Sequence, residues 1–231
     1  MAHIPFGDGP GIQKPDGCSV ELYRQLPYMA ELNDIEQSLV KHKAALELGC
    51  GTGRLCGRLQ ELGLEVAGVD ESQAMLAHLP TGVEGIHASI ETLNLNRSWP
   101  AVLLPSHLIN HPEEAVRKGF VRAAHRHTSA SGSFYVKRHS REWISTVCQG
   151  PLGTSHGIAL HAEGISRSGN LLSMTIRYET PDTAWTQSFT TLALDKQEIE
   201  QLLSSCGFIG FEWFGSEELW VAASRSDALI G

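Results

Sequence analysis

The chain has 231 residues, 42% of them apolar and 19% charged, which fits a folded domain with a substantial core rather than a disordered chain. A net charge of −8 weighs against nucleic-acid backbones and anionic membrane surfaces as partners, since both need clustered Lys and Arg; the basic stretch at residues 117–126 is expected to be the solvated face of a helix. Five cysteines without a C-x-x-C pair, no apolar run near membrane-span length and no basic-then-apolar start lead to the expectation of a soluble cytoplasmic protein without a disulfide framework.

In chain order, residues 4–17 are rich in Gly and Pro and are expected to form an irregular arm. Helical spacing then runs over residues 18–39, interrupted by Pro27. From Ala44 short apolar runs alternate with amphipathic segments. Residues 44–48 read as a strand, 54–62 as a helix with Leu55, Leu59 and Leu62 on one face, and 65–69 as a second strand. Ser72 is placed to cap the following helix. Further strands are expected near 85–88, 101–104 and 132–136, with a helix over 113–125. This alternation implies a parallel sheet with helices on both faces.

The texture changes after Lys137. Residues 156–165, 170–179 and 184–194 are β-prone and separated by turn signals, as consecutive antiparallel strands are. Asp195 then caps a helix that stops at Gly207, and strands near 208–214 and 219–223 follow. The expected organisation is an N-terminal arm and helical lid over 1–43, then a domain over 44–231. An antiparallel insertion at about 153–194 is expected to lie over the active edge as a cap or a dimer surface.

The most informative tract is Glu47-Leu-Gly-Cys-Gly-Thr-Gly-Arg54. Gly49, Gly51 and Gly53 sit between a strand and a helix, where a ligand approaches the backbone and positive φ is needed. The helix N-terminus behind them favours an anionic group. Asp70 ends the next strand about 20 residues on, where an acid can accept both hydroxyls of a ribose. A dinucleotide fingerprint would need Gly where Arg54 stands, no tyrosine has Lys four residues later, and no Walker Gly-Lys-Ser/Thr is present.

The tract Ala45-Leu-Glu-Leu-Gly-Cys-Gly-Thr-Gly-Arg54, followed by Val66-Ala-Gly-Val-Asp-Glu-Ser-Gln-Ala-Met-Leu76, resembles the first two motifs of class I S-adenosylmethionine-dependent methyltransferases. The resemblance implies a Rossmann-like α/β fold with a mainly parallel twisted sheet and an antiparallel β insertion. It also implies S-adenosylmethionine as cofactor and S-adenosylhomocysteine as product. On this resemblance the backbone at Gly49, Cys50, Gly51 and Gly53 passes under the methionine part, with Glu47 supporting the loop. Asp70 accepts the ribose hydroxyls beside Glu71, and Met75 flanks the adenine. Ser89 stands where the third motif usually carries an acid, so the adenine contact falls to the backbone of Ser89 and Ile90. Pro105, Ser106 and His107 come beside the sulfonium.

Methyl transfer from a sulfonium is an in-line displacement with a good leaving group already present, so the protein mainly aligns the partners and excludes water. The acceptor site is therefore less marked in sequence than the cofactor site. Tyr23, Tyr28, His107, His139 and Trp143 are the candidates to line it, with His139 and His107 as candidate base or orienting groups. His107 and His111 lie four residues apart, but Pro112 and the lack of a nearby acid leave no metal site expected.

Wider tracts, residues 15–27, Arg138-His139 with Trp143, and Trp185-Thr-Gln-Ser-Phe189, resemble actinobacterial natural-product methyltransferases, some of them like the daptide-type peptide amine methylases. The expected reaction is methylation of an amine on a small molecule or a modified peptide, by a monomer or homodimer without nucleic-acid or membrane partners. O-methylation of a hydroxyl or carboxylate, and a non-catalytic cofactor-binding subunit, stay open as alternatives.

Overall fold

The computed structural model describes residues 5–226, so residues 1–4, including the first residue of the expected arm, and residues 227–231 lie outside the described residues. The chain divides into two units, one of residues 5–27 with 141–193, the other of residues 28–140 with 194–226. The first unit opens with β1 (Phe6–Asp8) and α1 (Val20–Gln25). The second takes α2 (Glu36–Leu39), β2 (Ala44–Leu48), α3 (Arg54–Glu61), β3 (Glu65–Asp70), α4 (Gln73–Leu76) and β4 (Glu84–His87). It continues through β5 (Trp99–Leu104), a 3-10 turn (Leu108–Asn110), α5 (Glu114–His127) and β6 (Thr128–Lys137). The first unit resumes with α6 (Arg141–Thr146), β7 (Gly150–Ser155), β8 (Ile158–Ser168), β9 (Leu171–Glu179) and β10 (Ala184–Leu192). The second closes with α7 (Lys196–Ser205), β11 (Phe208–Phe214) and β12 (Trp220–Arg225).

In the second unit seven strands form one sheet in the order β11-β12-β6-β5-β2-β3-β4. Strands β2 to β6 run parallel, and β12 and β11 add antiparallel at one edge. This is the mainly parallel Rossmann-like sheet expected. Strands buried on both faces are mostly apolar, as in β2, where four of five residues are buried and Glu47 is the one polar exception. Leu55, Cys56 and Leu59 of α3 pack with Ala45, Leu103, Tyr135 and Trp220 into the core. Helix ends follow local chemistry: Ser72 accepts from the Met75 amide, and Asp195 with Glu198 forms a reciprocal capping box at α7.

In the first unit β1 pairs with β10, and the order β1-β10-β9-β8-β7 is antiparallel throughout. One face carries Leu172, Met174 and Ala162 against Ile144 and Val147 of the α6 region, while Tyr178 and Trp185 pack with Leu22 of α1. Trp185 is core, its Nε1 donating to the Pro10 carbonyl at 3.0 Å.

Four local expectations are corrected. The arm at residues 4–17 is not irregular throughout, because Phe6–Asp8 pairs with β10 and Gln13 bridges to Ser19. A Cβ at Gly7 would come within 2.0 Å of the Gly17 carbonyl oxygen, so this backbone contact excludes any side chain. The helical spacing over 18–39 yields two short helices, since Leu26 before Pro27 is extended. The antiparallel set also begins earlier than read, with β7 at Gly150. The basic stretch is a solvated face only in part: Arg122 and Arg126 are exposed, whereas Arg117 is buried and donates to the His111 and Pro112 carbonyls.

Candidate functional site at the carboxyl edge of the parallel sheet

The loop after β2 turns on three glycines in the left-handed region, with φ of 75° at Gly49, 56° at Gly51 and 82° at Gly53. Side chains are disfavoured there by about 1–2 kcal/mol each. Gly49 and Cys50 both donate their amides to the Val69 carbonyl, which ties the loop to β3. A Cβ on Gly49 would meet Leu108 Cδ1 at 2.8 Å, and one on Gly53 would meet Leu79 and Pro80 at 2.6 Å. The loop is thus a bare backbone surface leading into the N-terminus of α3.

Glu47 lies under this loop, 2% exposed, and accepts the Cys56 thiol hydrogen at 2.9 Å. Burial pushes its carboxyl up to about 8, the nearby Asp70 adding to the rise and the Cys56 hydrogen bonds opposing it. The group is therefore neutral at pH 7 and supports the loop as a hydrogen-bonding carboxylic acid. Cys50 belongs to the same packing, because Gly68 without a side chain leaves room for the Cys50 and Cys56 sulfurs.

Asp70 ends β3 buried, one carboxylate oxygen accepting the Gly51 amide at 3.0 Å and the other the Ser72 amide at 2.8 Å. These amides lock the carboxylate beside the glycine loop. A carboxylate offers about four acceptor positions, so one group can accept both backbone amides and hydroxyls. Glu71 follows, exposed, its carbonyl 2.9 Å from His87 Nε2. Met75 is 1% exposed within α4, so its side chain belongs to the core. Ser89 Oγ donates to Glu91 Oε2 at 2.6 Å, which brings an acid to the third-motif position by a neighbour two residues on. Glu91 was not read from the sequence, because the motif spacing pointed at position 89. Ile90 is buried, its Cδ1 lying 3.6 Å from where a Gly49 Cβ would stand.

At the ends of β5 and β6 two imidazoles meet. His107 and His139 stack with centroids 3.7 Å apart and ring planes 14° from parallel. Ser106 and His107 both carry positive φ, 60° and 61°, directly after buried Pro105. Consecutive left-handed non-glycine residues persist only where their surroundings hold them, and such strain collects at functional sites. Asn110 is buried and its Oδ1 accepts the His139 amide at 2.8 Å, fixing the β6 end against the 3-10 turn. Burial holds His107 well below the ordinary histidine range, with His139 and Lys137 pushing the same way. His139 falls to about 4 for the same reason, burial first and the Lys137 charge second. Both rings are neutral acceptors at pH 7. Asn110 is the positioning residue that sequence reasoning passed over, since a buried Asn in a short turn has no spacing signature.

The structure thus brings together Glu47, the glycine loop, Asp70, Ser89, Ile90, Pro105, Ser106, His107 and His139 at one edge of the second unit. Tyr28 is in the same unit, but its hydroxyl accepts the Leu32 amide at 3.1 Å and reaches Glu36 at 3.3 Å, pinning its own segment. Tyr23 and Trp143 are in the first unit. Tyr23 joins Cys18 and Gln187 through its hydroxyl at 3.3 and 3.4 Å, and Trp143 packs on the cluster of Ile144 and Leu172. Arg138, next to His139, is structural: it donates to the Glu218 carbonyl at 3.0 Å and lies over the Trp213 ring.

Comparison with known proteins bears on the fold that carries these residues. Residues 45–132 match the family described as "Methyltransferase domain". Bacillus subtilis YqeM, named as a candidate methyltransferase, is 44% identical over 57 residues, a stretch covering 25% of this chain and 23% of that protein. The chain thus spans about a quarter of that curated relative. The sugar N-methyltransferase KedS8 from Streptoalloteichus superposes with a TM-score of 0.72 at 18% identity, over 95% of this chain and 96% of that one. CalS10, an S-adenosylmethionine-bound amino pentose methyltransferase of calicheamicin biosynthesis from Micromonospora echinaspora, gives 0.69 at 18% identity, over 89% and 94%. The fold is that of S-adenosylmethionine-dependent methyltransferases.

Proposed function

We propose that the chain transfers the methyl group of S-adenosylmethionine to an amine of a small molecule or modified peptide. One observation carries the cofactor half: three left-handed glycines turn beside Asp70, whose carboxylate is held by the Gly51 and Ser72 amides. The bare loop suits an approaching amino-acid moiety and the fixed carboxylate suits a ribose diol. The cofactor, when bound, supplies an activated methyl group on a sulfonium.

The acceptor half rests on the His107–His139 stack. Neutral imidazoles held at β5 and β6 accept a hydrogen bond from an amine N–H and so aim its lone pair. With His139 at about 4, it cannot hold a proton taken from an ammonium at pH 7, so its role is to orient an amine that arrives neutral. The product proton then leaves to solvent. The name of one superposing enzyme, a sugar N-methyltransferase, favours nitrogen over oxygen as the acceptor atom.

The test is release of S-adenosylhomocysteine on incubation with S-adenosylmethionine and a panel of amino sugars, peptide N-terminal amines and matched hydroxyl compounds. Turnover with amines supports the reading. Cofactor binding with turnover only on hydroxyl compounds would overturn the amine assignment.

A further inference from the structure

Lys137 ends β6 half-buried, and among the described residues its ammonium makes no hydrogen bond or ion pair. Its contact is with the face of Trp220, whose centroid lies 5.8 Å from Nζ. The indole donates to the Glu31 carbonyl at 2.9 Å, and the Glu31 carboxylate pairs with Arg54, the first residue of α3. Lys137 is therefore joined through Trp220 and Glu31 to the residue that follows the glycine loop. The charged and titratable groups acting on it are Arg54, Asp34, His107 and His139. Burial lowers it from the ordinary lysine range, Arg54 adds to that, and Asp34 opposes it. A half-buried cation beside another cation and without an ion-paired anion is costly to keep.

We infer that Lys137 receives a ligand carboxylate, that of the amino-acid end of the cofactor, and so positions it for transfer. The inference rests on the methyltransferase reading above. Strand order gives the direction: Asp70 stands at the end of β3, Gly49 at the end of β2, then come β5 and β6. A ribose at Asp70 with the amino-acid part over Gly49 points its carboxylate toward β5 and β6. The three strand steps amount to about 14 Å, which the amino-acid arm covers from one side and the four-carbon lysine stem from the other. Arg54 has Glu31 as its anionic partner, whereas Lys137 has no ion pair among the described residues and can meet the new charge. The acceptor is the other source from which a carboxylate could come, and the ligands below separate the two.

The experiment is calorimetric titration of wild type, Lys137→Met and Lys137→Arg with S-adenosylhomocysteine and with 5′-methylthioadenosine, which lacks the amino-acid carboxylate. Lys137→Met is expected to weaken S-adenosylhomocysteine about tenfold, equal to about 1.4 kcal/mol, and to leave methylthioadenosine within about twofold of wild type. Lys137→Arg is expected to recover most of the loss. Neutralising the cation should also leave the melting temperature of the free protein unchanged or raised, which a merely structural lysine would not do. Equal binding of S-adenosylhomocysteine by wild type and Lys137→Met overturns the inference while the cofactor reading stands. Equal weakening of both ligands overturns it as well, because the effect then lies in the fold or the nucleoside. Wild type binding neither ligand removes the reading and this inference with it.

Discussion

Glu47→Gln takes a titrating group out of the interior while keeping an oxygen for the Cys56 thiol. In the folded chain this carboxyl sits at about 8, against an ordinary value of 4.5. An acid raised on folding keeps its proton in the native state while the unfolded chain releases it, so native stability falls as pH rises from 4.5 and levels off above about 8. At about 1.4 kcal/mol per pH unit, the loss is about 3 kcal/mol at pH 7 and at most 4–5 kcal/mol above pH 8. The neutral amide carries no such loss. Urea denaturation of both proteins at pH 5, 7 and 8.5 should give similar stabilities at pH 5. The variant should then be the more stable, by about 2 kcal/mol or more, at pH 8.5. Taking the difference between the proteins cancels the histidines, which titrate alike in both. A difference that stays constant with pH would refute the claim that Glu47 is buried in its neutral form.

Four further outcomes follow from the geometry. Asn110→Ala frees the His139 amide and should lower turnover about 10–100-fold with S-adenosylhomocysteine affinity unchanged, as steady-state kinetics and calorimetry would show. Gly49→Ala puts a Cβ 2.8 Å from Leu108 Cδ1 at a φ of 75°, so it should cost about 2 kcal/mol in denaturation and weaken cofactor binding. Because burial holds His107 and His139 below the ordinary range, the pH–rate profile should rise with the acceptor amine's own ionisation and show no break near 6.5; such a break in acceptor-saturated turnover would contradict neutral orienting imidazoles. Asp195→Ala removes a capping box and should cost about 1 kcal/mol of stability while leaving cofactor affinity intact.

The tract from Ala44 to Met75 was legible almost residue by residue, because its signals are local. Apolar runs, three glycines, an acid and a Ser cap each act within a few neighbours. The parallel sheet and the antiparallel strands β8, β9 and β10 were legible for the same reason. β1 was not, since three residues beside glycines become a strand only by pairing with β10, some 180 positions away. α6 and β7 hide in sequence for a related reason, being a six-residue helix and an edge strand containing Pro and Gly. At the site, His107 and His139 could be flagged by their places after β5 and β6, but their stacking spans 32 positions and shows in no spacing. Lys137 read only as the end of a strand. That it has no ion-paired anion among the described residues is a property of the packed structure around Trp220, Glu31 and Arg54.

The central claim, that Asp70 and the glycine loop form the cofactor site, meets its most direct test in one titration. S-adenosylhomocysteine is added to wild type and to Asp70→Ala, with NAD as the control ligand. The account predicts saturable binding to wild type, a loss of about tenfold or more in the variant and no binding of NAD, since removing a carboxylate that accepts ribose hydroxyls forfeits charge-assisted hydrogen bonds of about 1.5–3 kcal/mol. Equal affinity in wild type and variant, or a folded wild type that binds NAD and not S-adenosylhomocysteine, would contradict it.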